Sequence, residues 1–220
     1  MCILVCLVLA TPLALWLTFQ RKPHWYRPVE TDPATIRKTS NDALNWADHV
    51  SDRMVRGVPF ELLVADEEVT HFAAAAPAMF PDEFASWPPE IRDPAISFDD
   101  GMVKVGFFCE YDGWRVIGVG HIDVSLIDED TLFVRLDGVR GGLLPIPRRW
   151  IRKVFDPLLA RWQQNVDDVP DWIVDLKSVD QLYEGFRIPN RFLWPNGKRR
   201  FRLAGLESRG GTMKLSIEPY

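Results

Sequence analysis

Residues 102–140, MVKVGFFCEYDGWRVIGVGHIDVSLIDEDTLFVRLDGVR, decide the fold class of this 220-residue chain. Apolar and polar side chains alternate here with a period of two, which is typical of strands that bury one face. Asp112-Gly113 and Asp128-Glu129-Asp130 have the composition of tight turns, so they predict antiparallel connections. The segment therefore predicts a β-meander, with strands at 95–98, 102–111, 114–127 and 131–140.

The longest of these strands has two chemically different faces. Val116, Ile122, Val124 and Leu126 share one face, and Arg115, His121, Asp123 and Ser125 share the other. This alternation predicts one core face and one solvent face. His121, Asp123 and Ser125 do not predict a catalytic triad, because side chains two apart on a strand project in parallel, about 7 Å from one another.

Helices and further strands surround the meander. Apolar residues recur at helical spacing in 35–55, 66–76 and 147–163. Pro157 is expected to interrupt the last of these, which gives two short helices or one kinked helix. Pro-rich residues 77–94 predict a loop. The remaining strands are predicted at 60–64, 172–176, 184–192, 198–206 and 212–217, with turns at Asn196-Gly197 and Arg209-Gly210-Gly211.

The amino-terminal run CILVCLVLATPLALWLTF, residues 2–19, contains no charged side chain. At 1.5 Å per residue, roughly 18 residues span about 27 Å, close to the hydrocarbon thickness of a bilayer. We therefore expect a transmembrane anchor at 1–22, a juxtamembrane linker and helix at 23–57, and a domain at 58–220. The predicted fold class is α+β: an N-terminal transmembrane helix followed by a curved antiparallel sheet packed on one or two amphipathic helices.

Composition excludes several classes of function. A chain with 47% hydrophobic residues and a formal charge of -5 is not a disordered segment. The acidic balance and the lack of a recognition motif argue against nucleic acid as a partner. Glu67, Glu68 and His71 have a metal-like spacing but lack a second ligand pair, so we predict no metal site. We also predict no cofactor and no catalytic residue.

The sequence instead indicates an amphiphile-binding site beside the helix at 147–163. Its proposed apolar lining and its proposed head-group cations are Leu143, Trp150, Val154, Leu158, Trp162, Arg148, Arg149 and Arg152. We expect a non-enzymatic, membrane-anchored module that holds a lipid or acyl chain between sheet and helix. The alternative is an envelope scaffold or protein-interaction domain without a small-molecule ligand. A lipid hydrolase ranks last, because no nucleophile or acid–base pair is visible.

The order of parts resembles the uncharacterised bacterial single-pass YpmS-like family. The likeness covers about residues 58–165: a strand entering an acidic helix (60–69, FELLVADEEV), a β-meander, and the turn Gly-Leu-Leu-Pro-Ile-Pro at 142–147. Similar organisation occurs in extracytoplasmic lipid-binding domains. The resemblance implies an extracytoplasmic body with a membrane, a lipid or an envelope protein as partners. Arg21, Lys22 and Arg27 after the apolar run favour the opposite orientation by the positive-inside rule.

Overall fold

The computed structural model describes residues 16–82, 84–85, 87–89, 91–111, 113–165, 176, 178–194 and 199–220. The helices are α1 (Pro33–Arg56), α2 (Asp66–Met79), α3 (Arg148–Asn165) and α4 (Val179–Glu184), and residues 16–20 are also helical. The strands are β1 (Phe60–Ala65), β2 (Ile91–Asp99), β3 (Met102–Tyr111), β4 (Trp114–Asp128), β5 (Thr131–Gly141), β6 (Leu144–Pro145), β7 (Phe186–Pro189), β8 (Phe192–Leu193), β9 (Arg200–Arg209) and β10 (Thr212–Pro219).

The antiparallel α+β class is confirmed, and the meander has nearly the predicted bounds. The described strands form two sheets rather than one. One sheet has the order β2-β3-β4-β5-β6, with β7 also paired to β5, and the other has the order β1-β10-β9-β8. The second sheet pairs Phe60 in the first strand with Ile217 in the last one. Such long-range pairing leaves no local pattern in the sequence.

Local chemistry explains where α1 begins and ends. Asp32 accepts a hydrogen bond from the Thr35 N–H at 2.6 Å, and Pro33 occupies the first turn, where a missing N–H has no cost. Gly57 ends the helix in the left-handed conformation, with φ 67°. The buried side chains Val50 and Met54 pack α1 against Ile217 of the four-stranded sheet.

Two prolines fall inside helices rather than ending them. α2 continues through Pro77 to Met79, and α3 continues through Pro157 to Asn165. Of the two outcomes expected at Pro157, the division into two short helices is therefore wrong. The predicted loop at 77–94 is also shorter than expected, because β2 begins at Ile91. A register irregularity between Arg92 and Ala95 accommodates Asp93, whose φ is 53°. Residues 172–175 of the strand predicted at 172–176 lie outside the described residues, as does the turn at Asn196-Gly197.

Helix α2 covers the edge of the six-stranded sheet. The Thr70 hydroxyl accepts from the Ile96 N–H at 2.9 Å and donates to the Ile96 carbonyl at 3.2 Å. Both bonds satisfy outward-facing backbone groups of β2, which has a strand neighbour on one side in the described sheet. Asp66 at the start of α2 accepts from the Phe98 N–H at 3.4 Å, and its own N–H donates to Gly211.

The buried side chain of Asn190 joins the two sheets. Its amide nitrogen donates to the carbonyls of Glu129 and Leu203, both at 2.8 Å, and its amide oxygen accepts from the Leu203 N–H at 2.9 Å. Glu129 lies in the β4–β5 turn and Leu203 lies in β9. Strand β9 therefore crosses the end of the six-stranded sheet that carries this turn. Further along, the Gly101 N–H of the β2–β3 turn donates to Ser208.

The face of β4 that carries His121, Asp123 and Ser125 is called here the polar-patterned face. It contains the best-buried residues of that strand. Ile117 and Val119 form a core cluster with Tyr26 and Ala95, and Trp25 packs against the cluster. The Tyr26 hydroxyl donates to the Asp93 carbonyl at 2.6 Å, and burial, with Asp93 next, raises the pKa of this phenol. Trp25 and Tyr26 thus cover this face of β4, which the alternation within the strand did not predict.

The fold prediction is wrong in its transmembrane element. Among the described residues, no helix combines the length and the apolar character needed to cross a bilayer. The longest described helix, α1, is charged along its length, and the described residues 16–20 contribute one short helical stretch. Residues 1–15 of the expected anchor lie outside the described part. The structure therefore gives no support to single-pass anchoring.

We predict that Asn190→Ala destabilises the chain by about 3 kcal/mol, because it leaves the Leu203 N–H and two carbonyls without partners in a site that is 0% exposed. Urea denaturation measures this change in the free energy of unfolding. Asn41→Ala on the exposed surface of α1 is the control and is expected to change it by less than about 0.5 kcal/mol. Equal effects of the two substitutions would contradict the assigned role of Asn190.

Candidate binding site on the six-stranded sheet

One face of the six-stranded sheet is apolar across three strands. Cross-strand partners share a face, and Val103, Val105 and Phe107 of β3 pair with Ile122, Gly120 and Gly118 of β4. On the other side of β4, Ile122, Val124 and Leu126 pair with Leu136, Val134 and Leu132 of β5. All of these residues except Leu132 are half-buried rather than buried. The described chain therefore leaves this apolar face partly accessible.

Two glycines make a trough along the middle of this face. Gly120 lies between Val105 and Val139, and Gly118 lies between Phe107 and Gly141. A Cβ placed on Gly120 would contact the Leu136 Cδ1 at 3.6 Å, which is ordinary van der Waals distance. The central strand is therefore lower than its neighbours, and at Gly120 there is room for an added carbon atom. We call residues 103–109, 116–126 and 132–139 of this face the apolar trough.

Aromatic side chains lie at the end of the trough that is remote from the four-stranded sheet. The ring centroids of Trp87 and Phe107 are 6.0 Å apart, and Phe84 packs on Trp87 at 5.9 Å. A Cβ on Gly141 would lie 2.2 Å from a ring carbon of Phe19, so Phe19 occupies the space beside this glycine. The loop before β2 and the segment before Arg21 thus border the same end of the trough.

Among the described residues that line the trough, Cys109 is the one with a titratable side chain. Its sulfur lies 3.3 Å from the position of a Cβ on Gly118, and burial raises the pKa of the thiol. A neutral thiol behaves as a small apolar group, so Cys109 is compatible with an apolar lining. Because a thiolate is the reactive form, the raised pKa also disfavours Cys109 as a nucleophile at neutral pH.

The opposite face of the sheet carries charges that are paired with one another. Arg135 donates to Asp123 at 3.1 Å, and Lys104 lies 2.5 Å from Asp99. His121 is half-buried, and burial, followed by the charges of Arg140 and Lys104, lowers its pKa. The Asp123 carboxylate thus interacts with Arg135, as expected for a structural strand face rather than a catalytic triad.

The predicted site residues lie on or near α3, and none of them belongs to β3, β4 or β5. Leu143, Trp150 and Val154 are exposed, and the side chains of Leu158 and Trp162 lie outside the described part. The cations divide into two kinds. Arg148 lies over the Tyr183 ring at 4.2 Å and Arg152 pairs with Asp180, whereas Arg149 is exposed. Both partners belong to α4, which α3 contacts.

Sequence reasoning missed the trough, although a signal for it was present. Gly118-Val119-Gly120 interrupts a long strand with two residues that lack side chains, and such glycines permit close approach of another group. The structure adds the reason that they form a trough. Their cross-strand neighbours are Phe107, Val105 and Val139, and this register is not readable from β4 alone.

The described residues contain no group of three or more side chains with metal-ligating chemistry. Glu67 and His71 approach to 3.8 Å on α2, while Glu68 accepts from the Ala65 N–H at 3.1 Å and so caps the helix. A cleft of about 230 Å³ lies between α1 and β1 and is lined in part by Arg53 and Phe60. Arg53 lies over the Phe60 ring at 5.7 Å, so these two lining residues contact each other.

No family model, no curated protein and no solved structure matches this chain. The resemblance to the YpmS-like family therefore stays a prediction, as does the extracytoplasmic location that it implied.

We predict that Cys109 reacts with N-ethylmaleimide only at higher pH than an exposed thiol, because burial raises its pKa in the folded chain. The pH dependence of alkylation, followed by mass spectrometry of the peptide that contains Cys109, measures this. The same cysteine in the urea-unfolded chain is the reference. A folded-state midpoint at or below the unfolded one would contradict a desolvated Cys109.

Proposed function

We propose that this chain is a non-enzymatic module that binds the acyl chain of a lipid in the apolar trough. The observation that carries the proposal is the continuous half-buried apolar face of β3, β4 and β5, lowered at Gly118 and Gly120. Well-packed sheets bury such a face against another layer, and an apolar ligand would complete the burial here.

The dimensions and energetics of the trough support an acyl ligand. From Val116 to Leu126, ten residue-to-residue steps of about 3.3 Å extend about 33 Å, longer than the roughly 15 Å of one bilayer leaflet. Each buried methylene contributes about 0.8 kcal/mol. A chain of several methylenes therefore gains enough free energy to bind without any specific polar contact. The trough lining supports binding rather than catalysis, since its titratable group is the neutral Cys109 thiol.

Protection of Cys109 tests the proposal in the full chain. We expect palmitate to slow alkylation of Cys109 about fivefold, because a bound chain would cover the sulfur beside Gly118. Peptide-resolved mass spectrometry separates this thiol from Cys2 and Cys6. Unchanged alkylation of Cys109 at saturating palmitate would rule out the trough as the binding site.

Gly120→Val provides a sharper test with a matched control. The added methyl groups would fill the trough between Val105 and Val139, so we expect the Kd for palmitate to rise about tenfold, or 1.4 kcal/mol. Gly138→Val is the control, since Gly138 pairs with His121 on the opposite face and a Cβ there meets nothing within 4 Å. Titration calorimetry measures both. Equal affinities of the two variants would place the ligand elsewhere.

The protein-interaction scaffold is the second candidate, and one observation favours it. Leu63 on β1, which has one strand neighbour in the described sheet, is 64% exposed. An exposed apolar residue on an edge strand is a feature of interfaces that add a strand or a second subunit. Palmitate binding at the trough would favour the lipid module over this candidate, and native mass spectrometry without any lipid adduct would favour the scaffold.

A further inference from the structure

Helix α3 exposes one side of its apolar face to solvent. Trp150 and Val154, one turn apart, are 61% and 56% exposed, and Leu143 in the preceding turn is 40% exposed. The buried side of the same helix carries Leu159, which is 6% exposed. At about 100° per residue, Trp150 and Val154 lie roughly 180° and 140° around the helix from Leu159, and they adjoin the charged side that carries Arg149 and Lys153. They form an apolar ridge.

Two cations follow this ridge. Arg148 and Arg152 are engaged with Tyr183 and Asp180 of α4. In the described part of the chain, Arg149 and Lys153 have no carboxylate partner and are exposed. They are one turn apart and lie next to Trp150 and Val154 on the helix. Their positive charge is therefore available to an external partner, unlike that of the neighbouring arginines.

The ridge is held in a fixed orientation. Asp156 accepts from the Val179 N–H at 2.9 Å, which fixes α3 to the start of α4. The interactions of Arg148 and Arg152 join the same two helices on the turns before Asp156. A surface that is already ordered loses little conformational entropy when it binds.

We propose that this surface, Leu143, Arg149, Trp150, Lys153 and Val154, docks on the face of an anionic lipid bilayer. An aromatic ring with an aliphatic neighbour suits the boundary between head groups and acyl chains, and adjacent cations reach anionic phosphates. The unpaired positive charge favours an anionic surface over a neutral one. The observations on α3 do not depend on the trough. If both proposals hold, the docked bilayer would be the source of the trough's ligand.

Hydrogen exchange of the full chain tests the docking without depending on residues 2–19. We expect the amides of residues 149–156 to exchange about threefold more slowly with vesicles of phosphatidylglycerol and phosphatidylcholine in equal parts. Vesicles of phosphatidylcholine alone are expected to leave these amides unchanged. Equal protection by both vesicles, or none by either, would overturn the proposal. Protection that rises with protein concentration without vesicles would assign the ridge to a second copy and overturn it too.

Matched variants separate charge from apolar contact. Arg149→Glu with Lys153→Glu is expected to remove the protection, while Arg37→Glu with Lys38→Glu on exposed α1 is expected to retain it. Trp150→Ala is likewise expected to remove the protection, and Trp46→Ala is expected to retain it. Trp46 is the matched control because it is 42% exposed on α1. Equal effects within either pair would overturn the assignment to α3. Palmitate protection of Cys109 tests the trough separately. The two measurements therefore distinguish failure of the docking proposal from failure of the trough proposal.

Discussion

The arrangement of the two sheets depends on the buried amide of Asn190. Three hydrogen bonds from this side chain reach the β4–β5 turn and strand β9, which belong to different sheets. Inside a protein, an amide satisfied in this way favours one geometry, because any displacement leaves several polar groups without partners. Arg202 extends the same junction, since it binds Glu129 at 2.7 Å and Glu218 at 2.8 Å. The contacts at Gly101 and Gly211 hold the other end of β9 against the β2–β3 turn.

This junction explains why the apolar trough is only half-buried. The four-stranded sheet meets the six-stranded sheet at its end, whereas the two layers of a sandwich stack face to face. Its own apolar face packs against α1 through Val50 and Met54. On the opposite face of the six-stranded sheet, Tyr26 and Trp25 cover Ile117 and Val119. These apolar layers of the described chain are thus used elsewhere, and the described residues leave the face that carries Gly118 and Gly120 partly accessible.

Helix α3 has apolar residues on both a buried side and an exposed side. Its apolar residues are numerous enough to predict a buried helix, and Leu159 is indeed buried. Trp150 and Val154 remain exposed. At about 100° per residue they lie on the side of α3 opposite to Arg148 and Arg152, which contact α4. The charged residues divide in the same way, since α4 engages Arg148 and Arg152 and leaves Arg149 and Lys153 to solvent. Of the predicted binding residues, Leu143, Arg149, Trp150 and Val154 are therefore exposed to solvent, whereas Arg148 and Arg152 contact α4.

The sequence by itself determined the local elements. The turns at Asp112-Gly113 and Asp128-Glu129-Asp130 and the alternation between them predicted β3, β4 and β5 within a residue, and Asp32, Pro33 and Gly57 bound α1. These features depend on neighbours in the chain, so a single sequence contains them. The tertiary structure alone decided that β1 pairs with β10, that Asn190 joins two sheets, and that Tyr26 covers the polar-patterned face of β4. It also decided that the glycines of β4 form a trough and that Trp150 is exposed. Each of these depends on residues tens to more than a hundred positions apart, and no periodicity within one element reports which partner covers it.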